Sequence, residues 1–476
     1  MKNRVFNKSF FALSLFLLVS FAANAQESLR TGYFLKGNLY RHTINPALMN
    51  NRNYVSLPIL GGMNLDTGGD VGIDNFVFDN PNGGDKVSFM HESVDANDFL
   101  GGLENENKIM ANIDMVIMSA GFFGFGGYNT IDLGFHSHTG MNVPYELFNF
   151  MKTADPAKAN SYSINDVNVL TRNYFDVALG HSRKLTKDLT VGARVKLLFG
   201  LGYADLSLDK VEVNSDPAAL KWRVMTQGNA NVALGGKFKY SDSRMINGNN
   251  VVNGYDDPSL GVTGFGMGID LGAVYDLSNV LTEGLVVSAS LTDLGFMNWK
   301  KVSKASANGD NPFDFDGFEH VKKHNITNPK DIDDQFNSLK DDFEDFMSFE
   351  DCGEGSESST LAATLNIGAE YKMPFYDKMS AGLLFTNRFD GDYSFYKMSM
   401  MVNVAPLNWL EFALSGTKST FGSGFGAMAN IHFTGFNMFL GTDCFFNDLG
   451  EYGIPAEDMN ASLSIGVNIP FGKKRD

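Results

Sequence analysis

The sequence predicts an all-β protein, a transmembrane antiparallel β-barrel of about fourteen strands with an N-terminal plug and external loops that contain short helices. Three observations predict this fold. Segments with strict apolar–polar alternation recur along the chain, and they are about 10–12 residues long, whereas soluble strands average five or six. Short and long links alternate between these segments. The composition, with 50 Gly, 41 Phe and 43% apolar residues, suits many strands joined by tight turns.

The N-terminus has the features of a secretory signal peptide, predicted to comprise the first 25 residues. Lys2, Arg4 and Lys8 precede an apolar run over 10–23, and residues 23–25 (Ala-Asn-Ala) form a cleavage site. The run is too short to span a bilayer as a helix, and no Cys follows the site to carry a lipid anchor. We therefore expect export to the outer membrane of a Gram-negative bacterium. The formal charge of −17 argues against nucleic-acid binding.

Residues 188–203 show the alternation most clearly. From Leu189 to Tyr203 every second side chain is apolar, whereas Arg194, Lys196 and three glycines lie among the others. Soluble sandwiches also alternate. The nearly unbroken apolar face, opposite Gly, Ser, Thr, Asn and scattered charges, favours lipid on one side and a polar lumen on the other. Such a sheet must close, because lipid leaves no partner for the backbone groups of an open edge.

Fourteen strands follow from the alternation and from the link lengths. We place them at 54–60, 113–121, 128–138, 172–183, 189–203, 266–276, 285–294, 360–373, 379–388, 395–404, 409–418, 424–433, 436–444 and 460–471. Short links are predicted to be periplasmic turns, and the long segments 204–265 and 295–359 external loops. Residues 229–240 would form an external hairpin with 205–213. Twelve or sixteen strands are the alternatives.

Two external segments are predicted to contain helices, 142–158 and 329–350, the second with apolar residues at three-to-four spacing. The second lies in the large acidic loop 295–359, which would be either a solvated cap or a surface for a protein partner or a cation. Cys352 and Cys444 could pair in an oxidising compartment or remain separate.

The sequence contains no catalytic motif, so neither enzyme activity nor a cofactor is predicted. His136 and His138 share one strand face and could ligate a metal, but no third ligand is evident nearby, so we predict no metal site. The run DFDGFEH at 314–320 lacks the full carboxylate spacing of a calcium loop and is interpreted as acidic loop.

Charged and polar residues at alternate strand positions are the candidate lumen residues. They are Asp176, Arg194, Lys196, Asp270, Glu370, Lys372, Glu411 and His432. Mixed signs favour a salt-bridged network that fills or stiffens the barrel, and a selective pore is the alternative. A lumen fourteen strands wide needs a plug or leaves a channel.

Three short motifs resemble known outer-membrane proteins: RHTINPALM at 41–49, DLGAVYDL at 270–277 and LTDLGFMNW at 291–299. An Asn-Pro-Ala ahead of such a barrel resembles the long-chain fatty-acid transporter superfamily (FadL-like). The three motifs together are more similar to an uncharacterised exported barrel family whose domain has no known function.

The resemblance implies a small plug at about residues 33–52, within an N-terminal segment 26–53. Its expected ligand or plug residues are Arg41, His42, Asn45, Pro46 and Ala47. The residue types agree in part, because Asn bonds the local backbone and Pro fixes an extended turn. An ordinary turn leading into the first strand is the alternative.

Two functions remain open at this stage. The first is a transporter that admits small hydrophobic molecules between plug and wall. The second is an outer-membrane scaffold or surface-interaction protein without transport, as in a secretion-associated branch of the same superfamily. The expected partners are outer-membrane lipids, the barrel-assembly machinery, a small hydrophobic ligand and a protein at the acidic loop. The barrel would occupy 54–471, and the basic tail 472–476 would protrude.

Overall fold

The computed structural model describes residues 29–56, 61–81, 83–84, 86–246, 249–256, 258–259, 261–315, 325–326, 348–444 and 461–474. The predicted signal peptide lies outside the described residues. So do most of the predicted helix at 329–350, most of the run 314–320, the end of the first predicted strand and the last two residues of the tail.

Fifteen strands of the described chain build the barrel wall. They are β1 (Asn53–Ser56), β2 (Gly62–Gly69), β5 (Glu106–Gly124), β6 (Gly127–Pro144), β7 (Ser161–Lys184), β8 (Leu189–Asp216), β12 (Gly264–Asp276), β13 (Leu285–Asn308), β17 (Ala363–Lys372), β18 (Met379–Phe389), β19 (Phe395–Leu407), β20 (Leu410–Ser419), β21 (Gly422–Phe433), β22 (Phe436–Thr442) and β23 (Ala461–Phe471).

Eight further strands lie in the segments that join wall strands at the end with the long links, which we call the outer end after the predicted topology; the opposite end, with the short turns, is called the periplasmic end. They are β3 (Val77–Phe78), β4 (Lys86–Ser88), β9 (Lys221–Ala233), β10 (Lys237–Ile246), β11 (Asn249–Asp256), β14 (Phe313–Phe315), β15 (Asn325–Ile326) and β16 (Phe349–Thr360).

The wall is a closed antiparallel ring, as a sheet in lipid requires. β1 pairs with β23 from Asn53↔Phe471 to Ser56↔Asn468. β2 pairs with β23 and with β5, so it continues the position that β1 begins. The fifteen wall strands therefore occupy fourteen places in the ring. This confirms the predicted transmembrane barrel of about fourteen strands.

The two faces of β8 separate lipid from lumen. Val195 and Leu197 are 47% and 48% exposed, whereas Arg194 and Lys196 are each 4% exposed. The prediction is wrong at Tyr203, which is buried and stacks on Trp299 with ring centroids 5.1 Å apart. Asn173 pairs with Gly202 but Tyr174 pairs with Gly200, so one extra residue of β8 forms a β-bulge. The bulge shifts the side-chain alternation by one and turns Tyr203 inward.

The predicted strand at 360–373 is interrupted in the same way. β16 ends at Thr360 and β17 begins at Ala363. Alternation along 360–373 puts Leu361 on the same face as Leu365 and Ile367 and so predicts that it faces lipid. Leu361 is instead buried, and its backbone N–H donates to the Gly295 carbonyl at 3.0 Å. The alternation prediction is therefore wrong at Leu361, because the chain changes from an outer strand to a wall strand there.

Several strands continue past the wall at the outer end. β8 runs on to Asp216 and pairs with β9, with Leu206 opposite Ala230. The predicted hairpin of 205–213 with 229–240 is therefore wrong in register: residues 221–233 pair with β8, whereas 237–246 form β10 and pair with β11. β13 runs to Asn308 and pairs there with β9 and β16. The predicted loop 295–359 thus starts and finishes as strand.

The helix Tyr145–Thr153 confirms the helical prediction for 142–158. It follows Pro144 and buries Leu147, Phe148 and Met151. A second helix, Ala96–Leu100, was not predicted and is capped by the Asp95 carboxylate, which accepts from the Asn97 N–H at 2.8 Å. Among the described residues, no helix is long and apolar enough to cross a membrane.

An apolar layer covers the outer end of the barrel. The rings of Phe89 and Phe99 stack with centroids 4.4 Å apart, and Phe150 meets Trp222 edge-on at 5.2 Å. Burying each such side chain contributes roughly 1.5–3 kcal/mol, so the layer is a packed part of the fold. Cys352 is exposed, Cys444 is buried, and neither forms a disulfide.

Candidate functional site in the barrel lumen

The N-terminal segment, residues 29–52, lies inside the barrel. Its beginning is tied to the outer half, where the Asp443 carboxylate accepts from the backbone N–H groups of Arg30 and Thr31 at 2.9 and 2.6 Å. It descends to the periplasmic end, where the Gly37 N–H donates to Glu411 at 2.9 Å. The segment then turns back into the lumen before it enters β1.

Lumen-facing glycines make room for this segment. A Cβ on Gly192 would clash with the backbone of Pro46, and one on Gly272 would clash with the Asn45 amide. Gly382 gives the same clearance to the ring of Phe34. These glycines are therefore needed for close approach of the segment to the wall.

Asn45 lies at the centre of the segment and is fully buried. Its Nδ2 donates to the Tyr33 hydroxyl at 3.0 Å and to the Ala289 carbonyl at 3.3 Å, and its Oδ1 accepts from the Ala47 N–H at 3.0 Å. The Tyr33 hydroxyl also meets Ser288 at 2.9 Å, and burial raises the pKa of this phenol. Asn45 thus joins two turns of the segment to the wall.

His42 links the segment to the charged part of the lumen. Its Nε2 lies 3.1 Å from the Asp132 carboxylate. Asp132 also accepts from Arg194 at 2.8 Å and from the Ser119 hydroxyl at 2.6 Å. Arg194 bridges in turn to Asp270, at 2.8 Å.

Lys196 continues this network towards the outer end, 3.0 Å from Asp270 and 2.7 Å from Asp293. Asp293 has a φ of 57°, which is uncommon for a residue other than Gly. Its backbone N–H donates to Asp270 at 2.8 Å, so the unusual backbone places Asp293 where it meets both partners. Three of the predicted lumen residues, Arg194, Lys196 and Asp270, belong to this network. A fourth, Asp176, lies next to the network and is bonded to His136.

Asp176 belongs to a cluster of two histidines and two carboxylates. His136 lies between the carboxylates, with Nδ1 2.5 Å from Asp114 and Nε2 3.1 Å from Asp176. His138 reaches the same Asp114 oxygen with its Nε2 at 3.1 Å. We refer to Asp114, His136, His138 and Asp176 as the histidine cluster.

After the Arg194–Lys196 network and the histidine cluster, a third set of charged side chains closes the lumen towards the outer end. Arg172 binds both oxygens of the Asp390 carboxylate at 2.5 Å, and Arg388 lies 3.3 Å from the same carboxylate. Asp390 is in the loop after β18. Burial alone would raise its pKa, but the two guanidinium groups hold the pKa of Asp390 below its usual value.

The remaining predicted residues lie nearer the periplasmic end. Glu411 is 3.6 Å from His432. Glu370 accepts from the Ser380 hydroxyl at 2.6 Å, whereas Lys372 is exposed at the end of β17 and does not join the lumen network of the described residues. Arg41 is buried in the segment, and burial lowers its pKa while Glu370 and Glu411 oppose that effect.

A cavity of about 100 Å³ lies between the N-terminal segment and the outer closure. Thr43 and Ile44 of the segment line it, as does the histidine cluster. Its charged lining also contains Arg30, Asp132, Arg194, Lys196, Asp293 and Arg388. With Asp114 and Asp176 included, four carboxylates line the cavity together with four Lys or Arg side chains and the two histidines. Charged groups of both signs therefore surround any occupant of the cavity.

Sequence reasoning missed Asp114, Asp132 and Asp293 as lumen residues. Asp114 and His136 lie on different strands and meet only through the β5–β6 register, in which they are direct partners. Asp293 reaches the lumen through its unusual backbone. The signal available in the sequence was the carboxylate at an alternate position in the predicted strands 113–121 and 128–138.

Comparison with solved structures finds similarities at low sequence identity. The Pseudomonas putida toluene transporter TodX is 11% identical, with a TM-score of 0.41 and 95% of both chains covered. A Pseudomonas aeruginosa FadL homologue is 9% identical, with a TM-score of 0.39 and 94% of this chain and 100% of that one covered. The translocator domain of the Neisseria meningitidis autotransporter NalP is 8% identical, with a TM-score of 0.34, and 89% and 90% are covered. No curated protein matches the chain.

Comparison with protein families gives one match that covers most of the chain. A family model matches residues 46–443, a span that begins at Pro46 of the segment and ends at Asp443, which holds the segment's beginning. The matched span includes DLGAVYDL and LTDLGFMNW, whose Asp270, Gly272 and Asp293 all face the lumen. The chain therefore belongs to this family of unknown function (DUF5723).

Proposed function

We propose that this outer-membrane barrel is a transporter for small hydrophobic molecules, with the N-terminal segment as its movable plug. One observation carries the proposal. The segment runs through the lumen from the outer half to the periplasmic end, and it is held there by side-chain hydrogen bonds and by contacts on glycines rather than by pairing into the sheet. Such contacts break and reform at low cost, since a net hydrogen bond contributes only about 0.5–1.5 kcal/mol.

The outer apolar layer supports a hydrophobic substrate. The rings of Phe76, Phe89 and Phe148 cluster directly over the barrel, with centroids 5.6–6.4 Å apart. A hydrophobic molecule that enters from outside would meet this layer first. It would leave through a side or mouth of the barrel only after the segment has moved.

A reversible crosslink tests whether the segment must move. The hydroxyl oxygens of Thr31 and Ser415 lie 2.8 Å apart, on the segment and on β20 respectively. We expect the pair Thr31→Cys and Ser415→Cys to form a disulfide, in a background with Cys352→Ser and Cys444→Ser. Uptake of radiolabelled toluene and of a fluorescent medium-chain fatty acid into vesicles that contain the barrel should then fall to the protein-free level. Reduction should restore uptake.

The matched control is Thr31→Cys alone, which cannot crosslink and should transport in both redox states. If oxidised and reduced barrels take up both probes equally, the segment is not the gate. If neither form exceeds empty vesicles, the transport proposal is wrong.

The charged lumen favours a second function. Arg194 bridges Asp132 and Asp270, Lys196 bridges Asp270 and Asp293, and Arg172 binds Asp390, so paired charges cross the lumen at several levels. A lumen closed in this way suits a scaffold that binds a protein at its outer surface. Loss of a co-purifying protein on deletion of residues 309–347, in a barrel that shows no uptake, would support the scaffold.

A further inference from the structure

We propose that the histidine cluster is a binding site for a divalent first-row transition metal, with Asp114, His136 and His138 as ligands. The inference is independent of the proposed transport. One carboxylate oxygen and two imidazole nitrogens, all within 4.8 Å of one another, converge at this point of the lumen. Two histidines and one carboxylate are a ligand set that binds Zn²⁺ and its neighbours in the first row.

The strand register brings the three ligands together. Asp114 of β5 is paired directly with His136 of β6, and His138 is two residues further along the same face of β6. Both histidines therefore point to the carboxylate from one side of the sheet. Ligands carried on paired wall strands are held by the backbone hydrogen bonds of the barrel, which favours a preformed site.

Asp176 supplies the second feature of a metal site. It accepts from Nε2 of His136, the ring nitrogen that points away from Asp114. A carboxylate on the far nitrogen of a ligating histidine fixes the ring and makes it a better ligand. The arrangement depends on Gly134, because a Cβ there would clash with the Asp176 carboxylate.

The site opens towards the cavity. The side chains of Asp114, His136 and His138 are 19%, 20% and 12% exposed, and all three line the cavity of about 100 Å³. Three protein ligands and an accessible face leave room for water as a further ligand, as in open metal sites. A metal at Nδ1 of His136 would replace the proton that this nitrogen now donates to Asp114.

The charges around Asp114 are also consistent with a cation. Among the ion pairs of the described residues, Asp114 is bonded to His136 and His138 and to no Lys or Arg. Of the other cavity carboxylates, Asp132 and Asp293 each meet a Lys or Arg directly, whereas Asp176 meets His136. A divalent ion would give Asp114 the cationic partner that those two residues have.

Metal binding to the full-length mature barrel in detergent tests the site. After treatment with EDTA, titration with ZnCl₂ by calorimetry should show one Zn²⁺ per chain. His136→Ala and His138→Ala should each weaken binding at least 100-fold. Asp176→Asn should weaken it about 10–100-fold without changing the stoichiometry, because Asp176 only orients a ligand. His181→Ala is the control, since His181 bonds to Asn129 near the periplasmic turn, and it should bind Zn²⁺ as the wild type does.

Co²⁺ provides a measurement that needs no variant. Its visible absorption reports nitrogen and oxygen ligands of low coordination number, and Zn²⁺ should abolish the band at one equivalent. Heat-modifiable migration in gels shows whether each variant is folded. A wild-type barrel that binds no stoichiometric Zn²⁺ and gives no Co²⁺ band overturns the proposal. Equal binding by the wild type and by the folded double variant His136→Ala/His138→Ala overturns it as well.

Discussion

Gly272 shows how single residues decide whether the N-terminal segment can lie in the lumen. Its missing side chain leaves the space that the Asn45 amide occupies, next to Pro46. Asn45 is otherwise held by Tyr33 and by the wall carbonyl of Ala289. A side chain at position 272 would therefore displace Asn45 and disturb these contacts.

We expect Gly272→Ala to weaken the packing of the segment by about 1–3 kcal/mol, the usual cost of inserting a methyl group into a full site. Amide hydrogen exchange of residues 42–48 should then be roughly 10–100 times faster, since local opening governs exchange. The control is Gly416→Ala, because a Cβ at Gly416 meets open space. Equal exchange rates of residues 42–48 in both variants would show that the packing of the segment does not depend on the missing side chain of Gly272.

Asp390 gives the barrel a stability that depends on pH. Its pKa is held below the usual value by Arg172 and Arg388 in the folded state. A carboxyl group of this kind stabilises the fold above its unfolded pKa of about 3.9, and the contribution is lost as the pH falls through the folded pKa. The free energy of unfolding should therefore drop on acidification.

Denaturant titrations at pH 7 and at pH 3 measure this effect. We expect the wild type to lose up to about 1 kcal/mol more than Asp390→Asn over that interval, because the unfolded carboxyl group takes up its proton above pH 3 and the amide does not titrate. At pH 7 the variant should be the less stable of the two, since it removes the carboxylate that Arg172 and Arg388 share. A difference between the proteins that stays constant with pH would contradict the assignment.

Individual strands show how far the sequence alone could lead. Alternation found the wall strands, because one face of each strand meets lipid and the other meets the lumen. It failed at Tyr203 and Leu361, where a bulge and a strand break change which face a residue occupies. Such irregularities depend on the neighbouring strand, so they leave no periodic signal in the chain itself.

The histidine cluster has the same limitation. The sequence placed His136 and His138 on one strand face, but the partner Asp114 is 22 residues away and becomes a neighbour only through the β5–β6 register. Register between two wall strands is set by the turn that joins them. Here that turn is very short, and Phe125 and Gly126 both have positive φ values, of 53° and 76°.

At the scale of the whole molecule, the strand pairing of the barrel wall does not involve the N-terminal segment. Every wall strand is paired with both neighbours, and these pairings do not include residues 29–50. The sequence predicted a closed ring of about fourteen strands because lipid imposes closure on any spanning sheet, but it did not predict β2, which completes the place that β1 begins. The contacts of the segment could not be derived in this way, because they depend on side chains from many strands.

We expect deletion of residues 29–50 to leave a folded barrel with an opened periplasmic half. Far-ultraviolet circular dichroism and heat-modifiable migration should resemble those of the full chain, and the conductance of single barrels in planar bilayers should rise severalfold. Asp443→Asn, which weakens the tie to Arg30 and Thr31 and keeps the rest of the segment, is the graded comparison and should give a smaller increase. A deleted chain that no longer folds would show that the segment is part of the structural core.

The seam between β1 and β23 also constrains the order in which the protein forms. It joins residues 53–56 to residues 468–471, so the ring cannot shut until nearly the entire chain has been delivered to the membrane. Residues 29–52 lead directly into that seam strand, and they must therefore be captured as the circle closes or be threaded afterwards through the periplasmic mouth. Contacts between such distant parts of a chain form slowly. The residues ahead of β1 thus wait for the arrival of β23, and their enclosure in the lumen belongs to the late steps of biogenesis.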